Sequence, residues 1–231
     1  MVCPTSYAGP QAAYDVLSGY PKGASFDWVG KRTDAGRAHF LHYMEDAVIL
    51  DGPELALLAE VATETGMQVV MGVIERSGRT LYCTSVTLVP GRGVAGHHRK
   101  LMPTGQERTI WGFGDGPTIA PVDSTLGTFG TVICWENYMP ALRQAMYAQG
   151  TEIYCAPTAD DRATWAPSMV HIALEGRMHV LSACQAIRLG EYPSFYREDF
   201  EMEASRRFHH VRRQHNRRSA RQGARWFGIR H

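Results

Sequence analysis

The sequence predicts an α/β domain built of packed layers. Strand-like and helical stretches alternate over most of the chain, the pattern expected of sheets covered by helices. The strand-like stretches are short, β-branched or aromatic, and bounded by Gly- and Pro-containing turns. The 231 residues, 44% hydrophobic and 20% charged, are enough for one domain with a sizeable core.

Residues 34–47 read as a helix with Thr33 as its cap. Residues 53–65 form a clearer one, because Leu55, Leu58, Ala59 and Ala62 share a face and Gly66 stops it. Residues 67–74 are a near-continuous apolar strand. The turn Arg76-Ser77-Gly78-Arg79 joins it to a second strand, 80–89, as a hairpin. Pro90-Gly91-Arg92-Gly93 then leads to a third, 94–99. Residues 101–117 form a loop rich in Pro and Gly, and a loop of that length inside a domain is usually functional. Strands over 118–123 and 127–133 follow. A helix over 139–149, a strand over 152–156, a helix over 163–179 and a strand over 180–184 complete the alternation. Beyond Pro193 no apolar periodicity survives. The domain is therefore expected to span 1–193, and the Arg-rich segment 194–231 to be a disordered basic tail.

The formal net charge of +1 hides an uneven distribution, since that tail is strongly basic. Only three lysines occur (Lys22, Lys31, Lys100), so almost all basic residues are arginine. The five cysteines include no C-x-x-C pair, and no metal or cofactor is implied. Cys83, Cys155 and Cys184 lie in strand-like text and read as buried thiols, which fits a reducing, cytoplasmic setting. His97 and His98 are adjacent on a strand and so face opposite ways, which argues against a shared metal. No stretch reaches the length of a membrane span, and the start lacks a basic region followed by an apolar one, so neither a membrane partner nor a signal peptide is expected.

Chemistry concentrates at Cys134. It ends the run Gly130-Thr131-Val132-Ile133 and precedes Trp135-Glu136-Asn137 and a helical stretch. A thiol at a sharp strand-to-helix turn is exposed beside backbone N–H groups that can hold a developing oxyanion. A core thiol is the plain alternative until partners are found. Upstream, His97-His98-Arg99-Lys100-Leu101-Met102-Pro103-Thr104 leads to Glu107-Arg108 and Trp111-Gly112-Phe113-Gly114. Taken alone, Lys100 reads as an exposed lysine and Glu107 as a surface ion-pair member. Glu136 reads as a structural ion-pair member. Trp111 and Trp165 read as packing residues, Asp160 and Asp161 as loop residues suited to capping or substrate contact, and Arg177 as a charge near a helix end.

Together with Tyr154-Cys155-Ala156-Pro157-Thr158-Ala159-Asp160 and His171-Ile172-Ala173-Leu174-Glu175-Gly176-Arg177, these motifs resemble the nitrilase branch of the carbon–nitrogen hydrolase family from about Leu17 to Pro193. The resemblance implies a nitrilase-like α-β-β-α four-layer sandwich, incomplete at both ends. It implies a nucleophile at Cys134, a catalytic lysine at Lys100 and an assisting glutamate at Glu107, with the Trp135 N–H near the oxyanion. The implied reaction is hydrolysis of a nitrile by water to a carboxylic acid and ammonia, through a covalent thioimidate and acyl-enzyme, in a chain that assembles into homo-oligomers. The family's general-base glutamate has no match: counting back from Gly19-Tyr20-Pro21, its place falls on Tyr14. Asp15, the one carboxylate nearby, is a candidate substitute base only if the chain bulges, since it stands one residue off register and a strand would face it the other way. Residues 1–16 are atypical for the family, and so is the sequence after Pro193. Both ends have the look of a GC-rich gene read in another frame. Two competing readings follow: a catalytically impaired or incomplete nitrilase subunit, and nucleic-acid binding through the Arg-rich tail. The second carries less weight than a disordered tail.

Overall fold

The first sheet is an antiparallel meander whose two faces are visible in its sequence. The computed structural model describes residues 40–41, 43–104, 107–108, 110–160, 162–184 and 227–228. Strands β1 (Val69–Ser77), β2 (Thr80–Val89) and β3 (Gly93–Arg99) lie in that order, with Ser77 paired to Thr80 across a tight turn. Val69, Met71 and Val73 of β1 and Val86 and Leu88 of β2 pack on one side against helix α1 (Pro53–Thr65) through Leu55 and Ala62. α1 starts with proline at its first position, where the missing N–H costs nothing, and stops at Gly66, whose φ of 66° is left-handed. The intervening residues Val70 and Ile74 point to the other side. Residues 40–46 are helical where described and bring Tyr43 to the same cluster as Ile74; residues 34–39 and 42 of the expected helix lie outside the described residues.

The second sheet is mixed. β4 (Val122–Ser124) and β5 (Gly127–Thr131) form a hairpin; β5, β6 (Ile153–Thr158) and β7 (His179–Cys184) run parallel; β8 (Phe227–Gly228) pairs antiparallel to β7. Tyr154, Ala156 and Val180 face helices α2 (Pro140–Ala148) and α3 (Trp165–Gly176), which bury Leu142, Met146, Met169 and Ile172 on them. Cys155 and Phe129 point the other way and meet Val70 of the first sheet. The order is therefore helix, sheet, sheet, helices, the expected α-β-β-α sandwich.

Several expectations need correction. The strand expected over 118–123 is a 3-10 turn at Gly116–Thr118 followed by a strand of only three residues, because Pro117 and Pro121 cannot donate to a ladder. The ladder of β5 ends at Thr131, two residues early, because the chain turns toward Cys134. α3 ends at Gly176, since Arg177 is left-handed with φ 52°, so Arg177 caps the helix by its backbone. Of the segment 194–231, expected to be a disordered basic tail, β8 alone is among the described residues. Among the described residues no helix is long and apolar enough to cross a membrane.

Candidate active site

Cys134 sits where β5 runs out. The Val132 N–H donates to the Cys155 carbonyl (3.0 Å), and the chain then enters a 3-10 turn, Cys134–Tyr138. The helix expected over 139–149 follows as α2, with Pro140 at its first position, where the missing N–H costs nothing. Cys134 itself has φ 51°, a left-handed conformation that costs a side-chain-bearing residue roughly 1–2 kcal/mol. Such strain persists only where the surroundings impose it, and here they do. The Asn137 side-chain amide donates to the carbonyls of Val132 (3.0 Å) and Cys134 (2.7 Å), and the Tyr154 hydroxyl donates to Asn137 Oδ1 (2.9 Å). The strained corner turns the thiol out of the sheet, half-buried.

Glu136 fixes the corner from beneath. It is 1% exposed. Its Oε1 accepts the Leu101 N–H (2.6 Å), and its Oε2 accepts the Ile133 N–H (3.0 Å) and contacts His98 Nε2 (3.0 Å). Its reading as a structural ion-pair member thus gains a specific content: one carboxylate ties the residue after Lys100 to the residue before Cys134. His98 faces this network from β3. His97 pairs with Val86, whose side faces α1, so the two histidines do diverge.

Lys100 leaves the end of β3, its N–H bonded to the Cys83 carbonyl (2.8 Å). Strand alternation sends Arg99 to the α1 side and Lys100 inward. Arg99 is pinned there by hydrogen bonds from Nε (2.9 Å) and Nη2 to Glu75, and its guanidinium lies 4.1 Å from the Tyr82 ring centre. Lys100 is not the exposed lysine the sequence alone suggested: it is 1% exposed, with Nζ donating to Glu107 Oε2 at 2.6 Å. That carboxylate oxygen also accepts the Thr104 N–H (2.6 Å). Burial opposes the Lys100 ammonium, but the charges of Cys83, Glu107 and Cys134 outweigh it and raise its pKa above the ordinary lysine value. The described part of the loop that follows folds back on the end of β3. The Gly114 N–H donates to the Lys100 carbonyl (2.8 Å), and a β-carbon on Gly114 would stand 2.2 Å from the Arg99 carbonyl oxygen, so only glycine fits.

The rim is aromatic. Trp135 and Tyr138 are each 43% exposed and meet edge to face, and Tyr138 meets Trp165 the same way. Trp165 and Trp111 are buried, as expected of packing residues. The Trp135 indole N–H donates to Asp160 Oδ2 (2.9 Å), and the Arg162 guanidinium lies over its ring at 4.7 Å. Arg162 also binds Asp160 through its backbone N–H and side chain, and those hydrogen bonds, before that of Trp135, hold the Asp160 carboxyl below its ordinary pKa. Asp160 therefore serves a local turn and the rim and leaves α3 uncapped.

The fold brings Cys134, at the end of one sheet, within electrostatic reach of Lys100, at the end of the other, and Glu107 reaches Lys100 from the loop after it. Trp135 is the second residue of a helical first turn, where N–H groups have no acceptor within the turn. Asp15, Tyr14 and Asp161 lie outside the described residues. Sequence reasoning gave no role to Thr158, whose hydroxyl donates to Cys134 Sγ (3.2 Å). The available signal was its position at the carboxyl end of the strand beside β5, the end where open parallel sheets place their sites.

A sequence model of the carbon-nitrogen hydrolase family matches residues 17–225, beginning where the resemblance began and running past Pro193. A nitrilase from Bradyrhizobium diazoefficiens is 56% identical over 181 residues, covering 78% of this chain and 56% of its own. An aliphatic nitrilase from Sinorhizobium fredii is 54% identical over 178 residues, covering 77% and 58%. A bifunctional nitrilase/nitrile hydratase from Nicotiana tabacum is 53% identical over 178 residues, covering 77% and 51%. The chain thus spans about half the length of the curated relatives it matches. Among solved structures, a carbon-nitrogen hydrolase from Helicobacter pylori superposes with a TM-score of 0.56 at 18% identity, covering 75% of this chain and 60% of that one. A CN-hydrolase superfamily protein from Xanthomonas campestris superposes at 0.57 with 14% identity, covering 78% and 72%. At such identities the likeness speaks for the fold alone.

Proposed function

Because the chain belongs to the nitrilase branch of the carbon–nitrogen hydrolase family, we propose that it hydrolyses a nitrile to a carboxylic acid and ammonia with Cys134 as nucleophile. One observation carries the reading: a thiol held at a strained corner of one sheet lies within electrostatic reach of Lys100, a buried cation at the end of the other sheet that is paired with Glu107.

The steps assign a role to each group. The Cys134 sulfur adds to the nitrile carbon, an electron pair moves to nitrogen, and nitrogen takes up a proton to give a thioimidate. Lys100, a fixed cation, and the Trp135 N–H stabilise the charge that develops opposite the sulfur. Glu107 holds the Lys100 ammonium in place. Water adds to the thioimidate carbon and ammonia departs, leaving an acyl-enzyme. A second water releases the acid and restores the thiol. Proton transfer to ammonia and from water needs a carboxylate, and we assign it to Asp15 as the substitute base.

The test is ammonia release from a panel of nitriles, with the product identified by mass spectrometry. Cys134→Ala abolishes turnover; turnover equal to that of the unmodified chain would sink the thiol mechanism. Asp15→Asn lowers turnover by about 10²–10⁴-fold, whereas an unchanged rate moves the role to Glu107. A second reading, a catalytically impaired subunit, draws on the fact that Glu107, Glu136 and Asp160 each already accept protein hydrogen bonds. Labelling of Cys134 by a thiol reagent with no ammonia from any nitrile would favour it.

A further inference from the structure

β5 and β6 are parallel neighbours, so their carboxyl ends lie side by side, and Cys134 and Thr158 emerge there together. The Thr158 hydroxyl donates to Cys134 Sγ at 3.2 Å and accepts the Asp160 N–H at 2.9 Å. A hydroxyl has one proton and two lone pairs. With the Asp160 amide on a lone pair, the proton is directed at the sulfur. Asp160 is itself held, since its carboxylate accepts the Arg162 N–H (3.0 Å), Arg162 Nε (2.8 Å) and the Trp135 indole N–H (2.9 Å). Trp135 is covalently next to Cys134, so the contacts close a ring: Cys134, Trp135, Asp160, Thr158 and back to the sulfur.

We propose that Thr158 is a positioning residue for the nucleophile. Its hydroxyl holds the Cys134 sulfur in the orientation from which it adds to the substrate carbon, and stabilises the anionic sulfur before addition by a charge-assisted hydrogen bond. Thr158 keeps its proton throughout. As the S–C bond forms, the sulfur's electron pair goes to carbon and the hydrogen bond weakens. The role rests on the reading of Cys134 as the nucleophile.

The experiment uses the full chain and iodoacetamide as the probe, with the rate of Cys134 alkylation followed by peptide mass mapping alongside thermal melting and nitrile kinetics. Thr158→Val keeps the branched shape and removes the hydroxyl. Alkylation slows roughly ten- to hundredfold, the range for a hydrogen bond to a charged acceptor, with melting unchanged and kcat lowered more than KM is raised. Thr158→Ser restores most of the rate. Alkylation of the valine variant at the unmodified rate, with native melting, overturns the proposal. Should valine disturb the packing, Thr158→Ala is read in the same way: slow alkylation at native melting supports the role, and fast alkylation overturns it. Alkylation needs no nitrile, so this role and the nitrile-hydrolysis reading fail separately.

Discussion

Glu136→Gln separates a positional role from a chemical one. The carboxylate is 1% exposed and accepts the N–H of Leu101 on one oxygen and of Ile133 on the other, the latter shared with His98. A glutamine offers one oxygen and one NH₂ group. Whichever way the amide is turned, the NH₂ faces a backbone N–H, and two donors oppose each other. At least one bond to a charged acceptor is lost, worth about 1.5–3 kcal/mol, and a buried donor is left unpaired at about 1–3 kcal/mol. These effects overlap at one atom, so we expect a loss of roughly 2–4 kcal/mol. Urea unfolding measures it, with an unchanged slope showing that the variant still unfolds from a native state. The same substitution frees the segments beside Lys100 and Cys134, so turnover falls in the folded protein although no reacting group has changed. Stability within about 0.5 kcal/mol of the unmodified chain, the range of an ordinary surface change, together with full turnover, would refute the reasoning.

Lys100→Met strands the half-buried Glu107 carboxylate; breaking a fully buried pair from one side costs about 3–5 kcal/mol, and partial access to solvent keeps this loss at or below the lower end of that range. Adding Glu107→Gln recovers much of that stability but no turnover, and a single Lys100→Met variant as stable as the unmodified chain would contradict the coupling. Gly114→Ala places a methyl 2.2 Å from the Arg99 carbonyl oxygen; it destabilises by about 1–3 kcal/mol and cuts ammonia release by shifting Lys100, while native melting and turnover would show that the loop yields freely. Burial, then a hydrogen bond to Glu175, pushes the Tyr147 phenol from its ordinary 10.0 up to about 12. A raised folded pKa means that the stabilisation is complete below about pH 10 and is lost as pH rises toward 12. Denaturant unfolding across that window should show a steeper loss in the native chain than in Tyr147→Phe, where the raised Tyr154 and Cys155 still contribute; parallel curves would refute it.

The parts of the fold legible in the sequence are those decided locally. α1 and β2 fall where predicted because a proline start, a glycine stop and a two-residue turn act over a few residues. The failures also have local causes that the pattern concealed. Pro117 and Pro121 shorten β4, and the turn toward Cys134 ends the β5 ladder early. The site was legible only in part. Cys134, Lys100 and Glu107 could be proposed from linked motifs, but the burial of Lys100 and its pairing with Glu107 depend on contacts between the end of β3 and the residues after it. The bonds of Glu136 to Leu101 and of Thr158 to Cys134 join residues 35 and 24 positions apart in sequence. No periodicity encodes such contacts; they exist only once the sheets have stacked.

The division of the site between sheets has a consequence for how this protein fails. Lys100 travels with the first sheet and Cys134 with the second, and between the layers lie an apolar seam of Val70, Phe129 and Cys155 and the polar bridge from Glu136 to Leu101 and His98, with no disulfide among the described cysteines. A small slide that breaks the Glu136 bridge leaves each sheet's ladder intact yet separates cation from sulfur. Spectra that report secondary structure would register nothing while the reaction stopped. Heat, cosolvent or a smaller residue at Phe129 should therefore act first as inhibitors, and only at greater dose as denaturants.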